Sequence, residues 1–281
     1  VLFKGQSSVY NGYFDFEFIV PKDINFQYGP GKISYYANND VTDANGEDGR
    51  FIVGGIDTNA ILDNQGPLVS IFLNDSSFID GGLTDENPMF YAKIYDESGV
   101  NTVGNGVGHD ITLVLDGETS SPIVLNNFYQ ADLNTYKSGL VEYQLNDLSE
   151  GEHTLKFKVW DVNNNSEEVS LNFVVATKSD VTLNHVLNYP NPFTTATKFY
   201  FEHNQLNEVL DVQIQIFTVS GSLVKTIKEQ VTMNKYRNDG ISWNGLDDFG
   251  DQIGKGVYIY KLTVRTSEGK TESKVEKLFK L

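Results

Sequence analysis

The chain has 281 residues, no cysteine, and 38 acidic against 21 basic side chains, a formal charge of −17. That length suffices for two or three domains, each burying its own core. The absence of cysteine excludes disulfides, thiolate metal sites and a cysteine nucleophile within these residues. A surface so acidic repels nucleic acid and anionic headgroups, so neither is expected as a partner. With 12% aromatic residues, 25 glycines and short Val, Ile, Tyr and Phe runs bounded by Asn, Asp and Gly, the chain reads as all-β. No stretch approaches the roughly 18 consecutive apolar residues of a membrane-spanning helix. The chain opens in strand-like sequence without an initiating Met, and is expected to be the C-terminal part of a longer precursor.

Residues 1–66 carry four basic and nine acidic side chains and suggest strands near 8–20, 31–37 and 50–55. In Tyr13 to Val20, Phe14, Phe16 and Phe18 alternate with Asp15 and Glu17, the pattern of a half-buried strand. Three strands are too few for an independent sandwich, so this segment is expected to be the closing part of an incomplete β domain. The oxygen-rich stretch from Asp40 to Asp48 reads as a loop. Its Asp40, Asp43, Asn45, Glu47 and Asp48 are candidate calcium ligands, although their spacing is not that of an EF-hand. A solvated hairpin loop is the alternative reading.

Gly66-Pro67 opens the next segment, 67–177, which holds four basic and 17 acidic side chains. Strand patterns recur at 68–73, 89–95, 110–116, 122–125, 139–145, 153–161 and 168–175, the plan of an immunoglobulin-like β-sandwich. Trp160 falls at the end of an alternating strand. The stretch from Asp96 to Asp110 contains four glycines and His109. A catalytic reading would make His109 a general base oriented by Asp110 or Asp96. No cysteine or elbow-type serine stands ready for activation, and the glycines lack the strand-to-helix context of a phosphate cradle. A long ordered loop at the sandwich edge is expected instead.

A short polar linker, 177–183, leads into Tyr189-Pro190-Asn191-Pro192-Phe193, where two prolines hold the chain extended. Residues 178–281 carry 13 basic and 12 acidic side chains, so this near-neutral segment is the one best suited to contact another molecule. Strands are expected at 196–203, 210–217, 223–230, 240–243, 256–265 and 272–280. Trp243 is read as core or rim, with ligand stacking as the alternative. The turn clusters after Trp243 and around Lys255 bracket a tight β-turn-β device containing no evident nucleophile or base. The fold class expected for the whole chain is all-β, with tandem immunoglobulin-like β-sandwich domains.

These motifs carry a resemblance. Tyr189-Pro190-Asn191-Pro192-Phe193, Ile216 to Gly221, Trp243-Asn244-Gly245, Gly256 to Tyr260 and the closing Lys277-Leu278-Phe279 together resemble C-terminal sorting domains of the type IX secretion system of Bacteroidetes. Residues 13–37 and the run Asp96 to Leu115 resemble the C-terminal region of the PorU-type sortase family, gingipain-type cysteine peptidases. The resemblance implies a non-catalytic portion of such a sortase at the cell surface, on the outer face of the outer membrane. The catalytic Cys and His would then lie in upstream sequence. It further implies an outer-membrane β-barrel partner of the PorV type, other attachment-complex proteins, and cargo proteins bearing sorting domains. The last hairpin and tail form the candidate contact surface: Gly256, Tyr258, Lys274, Val275, Lys277 and Phe279. Such an edge strand can extend a partner's sheet, or can simply close the sandwich. The sorting and stalk region of a secreted adhesin or other cargo is the alternative function.

Overall fold

The computed structural model describes residues 1–58, 63–103, 108–177 and 180–281. The part of the Asp96 to Asp110 run at 104–107, which includes Asn105 and Gly106, lies outside the described residues, as do 178–179 of the polar linker.

Residues 1–58 form two small ribbons rather than a sheet. β1 (Gly29–Pro30) pairs with β4 (Ile52–Val53), and β2 (Ile33–Asn38) pairs with β3 (Asp43–Asp48). The strand expected over 8–20 does not form; only a bridge between Tyr10 and Tyr13 interrupts it. Alternation selects a face, but a strand also needs a neighbour for its main chain, and among the described residues none lies beside 14–20. The phenylalanines still share a face, which appears as a ring cluster. Phe14 and Phe16 lie 5.5 and 6.3 Å from Tyr35, and Phe3 stacks on Phe18 at 4.8 Å. The segment leans on its neighbour through Lys22 N–H donating to Val162 O (2.9 Å) and Asn134 N–H donating to Gln6 O (2.9 Å).

A β-sandwich follows. Its strands are β5 (Leu68–Leu73), β6 (Gly82–Thr84), β7 (Met89–Tyr95), β8 (Thr112–Leu115), β9 (Ile123–Val124), β10 (Tyr129–Ala131), β11 (Ser138–Gln144), β12 (Gly151–Trp160) and β13 (Ser166–Val175). One sheet runs β10-β11-β7-β5 and the other β6-β13-β12-β8-β9. In β12, His153, Leu155, Phe157 and Val159 turn inward while Glu152, Thr154 and Lys156 face water, the period of two read from the sequence. Phe90 of one sheet meets Phe157 of the other at 5.6 Å, in a core that also holds Leu73, Val141, Leu171 and Phe173. β6 and β10 are three residues each, too short for periodicity to reveal them.

The second sandwich contains β14 (Leu183–Tyr189), β15 (Thr197–His203), β16 (Val209–Thr218), β17 (Leu223–Thr232), β18 (Ile241–Trp243), β19 (Gly256–Thr266) and β20 (Thr271–Lys280). Sheet β14-β15-β18 packs on sheet β17-β16-β19-β20, with Phe199 meeting Tyr260 at 4.8 Å. β14 occupies sequence read partly as linker. A register shift between Asn184 and Leu187 breaks its alternation and hides it from a pattern reading. Trp243 is 3% exposed, packs against Phe193 and Phe199, and donates its Nε1–H to Leu246 O at 2.9 Å. The indole is thus core, closed to ligand stacking. The two sandwiches touch where Leu83 N–H donates to the buried Glu202 carboxylate (3.2 Å), which also meets His185 Nδ1 at 3.0 Å.

Candidate functional site

β20 is an edge strand, and its register on β19 places the contact residues. Gly256 opens β19 opposite Lys280, Val257 faces Phe279, Ile259 faces Lys277, and Lys261 faces Val275. Because side chains alternate, Leu278 and Lys280 turn into the sandwich, while Val275, Lys277 and Phe279 share the outer face. Val275 is 59% exposed and Phe279 41%, beside Val257 at 42%. Lys274 projects from the opposite face and is also exposed. Tyr258 lies differently: it packs against the core and donates its hydroxyl to Gly254 O at 2.9 Å. Gly256 has φ +156°, and nothing lies within 4 Å of the position a Cβ would take. Its role is therefore conformational.

The outer edge of β20 is half covered. Asn191 donates Nδ2–H to Lys277 O (3.1 Å) and accepts the Phe279 N–H on Oδ1 (2.9 Å). Phe193 N–H donates to Phe279 O (3.0 Å), and Leu281 N–H to Phe193 O (2.9 Å). The proline-flanked motif near residue 190 thus clamps the last five residues, 88 positions downstream of Asn191 at Phe279. Sequence spacing carries no signal for this pairing.

The candidate calcium residues do not converge. The expected loop is strand β3 from Asp43 onward, and a strand sends successive side chains to opposite faces, so Asp43, Asn45 and Glu47 part from Asp48. Glu47 pairs with Lys32, and Asp48 meets Arg50 with two side-chain bonds of 2.8 and 3.0 Å. The Arg50 guanidinium holds the Asp48 carboxyl down at about 2.

Among the described residues, one group of three carboxylates does come together: Asp63, Asp96 and Asp161, with ligand atoms within 4.8 Å of one another. Asp96 and Asp161 are buried. Asp96 Oδ1 accepts the N–H groups of Ser98 (2.8 Å) and Gly99 (3.0 Å), and Asp161 Oδ1 accepts those of Asn163 (2.9 Å) and Asn165 (2.7 Å). Asp63 Oδ2 accepts the Ser98 hydroxyl at 2.5 Å. Burial, reinforced by the neighbouring carboxylates, pushes Asp96 up to about 6 and raises Asp161 as well. An all-oxygen set suits a hard cation, which takes six to eight oxygens. Two of the three sit at turns, Asp96-x-x-Gly99 and Asp161-x-x-Asn164, but their separation in sequence conceals the cluster.

Among the described residues, the His109 imidazole bonds to neither orienting acid named for it, Asp96 or Asp110. Its Nδ1 lies 2.7 Å from Asp23 Oδ2, which also accepts the Asn101 side-chain N–H (2.8 Å), and its ring rests 4.3 Å from Trp160. It ties the N-terminal segment to the first sandwich.

No protein-family model matches the sequence, and no curated protein matches it. Among solved structures, the chain is similar to dimeric latent PorU from Porphyromonas gingivalis, at 31% identity over 97% of this chain and 26% of that one, with a TM-score of 0.41. Salmonella alpha-2-macroglobulin follows at 12% identity over 93% of this chain and 20% of that one, with a TM-score of 0.28. The Bacteroides ovatus mixed-linkage glucan utilization protein SGBP-B stands at 11% identity over 99% and 69%, with a TM-score of 0.29. The last two are too distant to carry an argument. The chain spans about a quarter of the solved PorU chain. Along nearly its whole length, then, this sequence is similar to a part of PorU.

Proposed function

We propose that this chain is the non-catalytic β-rich part of a PorU-like sortase of the type IX secretion system. In this reading residues 178–281 are a retained sorting module that docks on an outer-membrane β-barrel of the PorV type, at the cell surface. The peptidase site, with its cysteine, belongs to sequence outside this segment, and cargo proteins bearing sorting domains are its substrates. The 31% identity to PorU across 97% of the chain carries the reading. The outer face of the last hairpin supports the docking half of it: Val257, Val275 and Phe279 present exposed apolar surface beside Lys277. Exposed apolar side chains gathered on one sheet face suit a protein contact.

Removing the whole tail is a poor test, because Leu278 is fully buried and β20 completes the sheet. Surface substitutions are cleaner. Val275→Asp and Phe279→Asp are expected to weaken binding to a purified PorV-type barrel in detergent by about tenfold or more, in line with loss of a central apolar contact. Circular dichroism and thermal melts should stay close to those of the unaltered chain. Unchanged affinity in both variants would remove the docking surface from this face.

A further inference from the structure

Residues 1–58 hold eleven aromatic rings, and none of them is fully buried. Among the described residues, buried hydrophobic side chains begin only at Phe72. One side of the segment is fastened to the first sandwich, by Lys22 N–H on Val162 O and by Asp23 between Asn101 and His109. The other side is open. Phe14 is 48% exposed and Phe16 42%, although Tyr35 packs against both. Rings left half in water gain only part of the stabilisation that burial gives. Contiguous apolar surface of this kind marks a contact.

The main chain is unsatisfied in the same place. From Phe14 to Val20 the chain runs without a turn or bend, in the alternating pattern of a strand. Among the described residues, its one main-chain hydrogen bond is Asp15 O accepting the Ser7 hydroxyl. A strand is completed by a second main chain. The nearby pairs β1-β4 and β2-β3 are each two-stranded ribbons, marginal alone. Upstream sequence is a ready source of the neighbour. The chain spans about a quarter of the PorU chain to which it is similar, Val1 is exposed, and Phe3 stacks on Phe18. Sequence preceding Val1 therefore emerges beside the unpaired segment. A lipid surface fits less well, because the exposed Asp15 and Glu17 alternate with the rings.

We propose that residues 14–20 are a strand whose hydrogen-bonding neighbour comes from the sequence preceding Val1, and that the same upstream domain closes over Phe14 and Phe16. Residues 1–58 are then the floor of that domain. Asp23, held by both Asn101 and His109, fixes it against the first sandwich. The upstream part and the first sandwich thereby form one rigid body. The proposal rests on the reading above only in taking this chain as part of a longer protein.

Hydrogen–deuterium exchange on the full-length protein and on this 281-residue chain tests this. Amides of residues 14–20 are expected to exchange freely in the shorter chain and about a hundredfold or more slowly in the full-length protein. The double variant Phe14→Asp/Phe16→Asp supplies a second measurement. It should leave the melt of the shorter chain nearly unaltered, since neither ring is buried there. In the full-length protein it should lower the melting midpoint by roughly 5 °C or more. Equal exchange of residues 14–20 in the two proteins, or a double variant that shifts both melts equally, would overturn the proposal. So would flotation of the full-length protein with phosphatidylcholine vesicles that the double variant abolishes, which assigns the face to lipid. Cleavage of a sorting-domain cargo by the full-length protein reports on the sortase reading separately. Protection at residues 14–20 without cleavage removes that reading and keeps this one, and cleavage without protection does the reverse.

Discussion

The carboxamide of Asn191 holds Phe279 by its main chain: Oδ1 accepts the Phe279 N–H at 2.9 Å while Nδ2 reaches Lys277 O at 3.1 Å. One side chain thereby satisfies both a donor and an acceptor on an edge strand that would otherwise meet water. Asn191→Ala removes both bonds and is expected to cost about 1–2 kcal/mol in urea unfolding. The Phe279 amide should exchange with solvent markedly faster, while the core amide of Leu262 stays protected. Unchanged exchange at Phe279 would show that the Phe193 bonds alone hold the strand end.

Gly256 offers a test of backbone strain free of steric crowding. With φ at +156° and open space around it, Gly256→Ala should destabilise by about 1–3 kcal/mol purely through conformation. Gly254→Ala serves as its control, since that glycine has no positive φ and its nearest atom is the Tyr258 hydroxyl at 3.9 Å. Equal midpoints for the two variants in denaturant titrations would count against the strain account.

His203 links stability to acid. It is fully buried, its Nε2 has no hydrogen-bond partner among the described residues, and burial holds its imidazole down at about 4. The unfolded chain binds this proton near pH 6.5, so the full contribution is present above that pH. It is lost as the pH falls from 6.5 toward 4, a decline of about 3 kcal/mol in all. His203→Leu should flatten that limb of the stability profile, measured by urea unfolding at intervals across the range. An unaltered slope would place the titration elsewhere.

Asp96 acts in the opposite sense. Burial raises its carboxyl from 3.8 to about 6, so its contribution is fully present below 3.8 and is lost as the pH rises through 6. Asp96→Asn keeps an acceptor for the Ser98 and Gly99 N–H groups but carries no charge. In the presence of a chelator it should stabilise the chain by about 1–3 kcal/mol at pH 7.5 and give no gain at pH 4. Destabilisation at pH 7.5 would mean that the charge of Asp96 is compensated within the fold.

Much of the architecture was legible because period-two patterning is local. The run His153 to Val159 and the run Val212 to Ile216 each announce a buried face within a handful of residues, and both form strands with that face inward. Patterning misled where a pattern had no partner. Phe14, Phe16 and Phe18 alternate as a strand should, yet a strand exists only when a second main chain lies alongside. β14 failed in the reverse direction, since its register shift erases the alternation while β15 still supplies the pairing.

By itself the sequence determined that the chain is all-β, where most strands of both sandwiches run, and which terminal motifs resemble a sorting module. Only the tertiary structure decided that Asn191 grips Phe279, that Asp63, Asp96 and Asp161 meet, that Asp43 and Asp48 part, and that the clamp on β20 falls at its C-terminal end. Side-chain period is a property of neighbours along the chain. Which edge is covered, and which carboxylates crowd together, depends on segments brought together from tens of residues apart by burial of two separate cores.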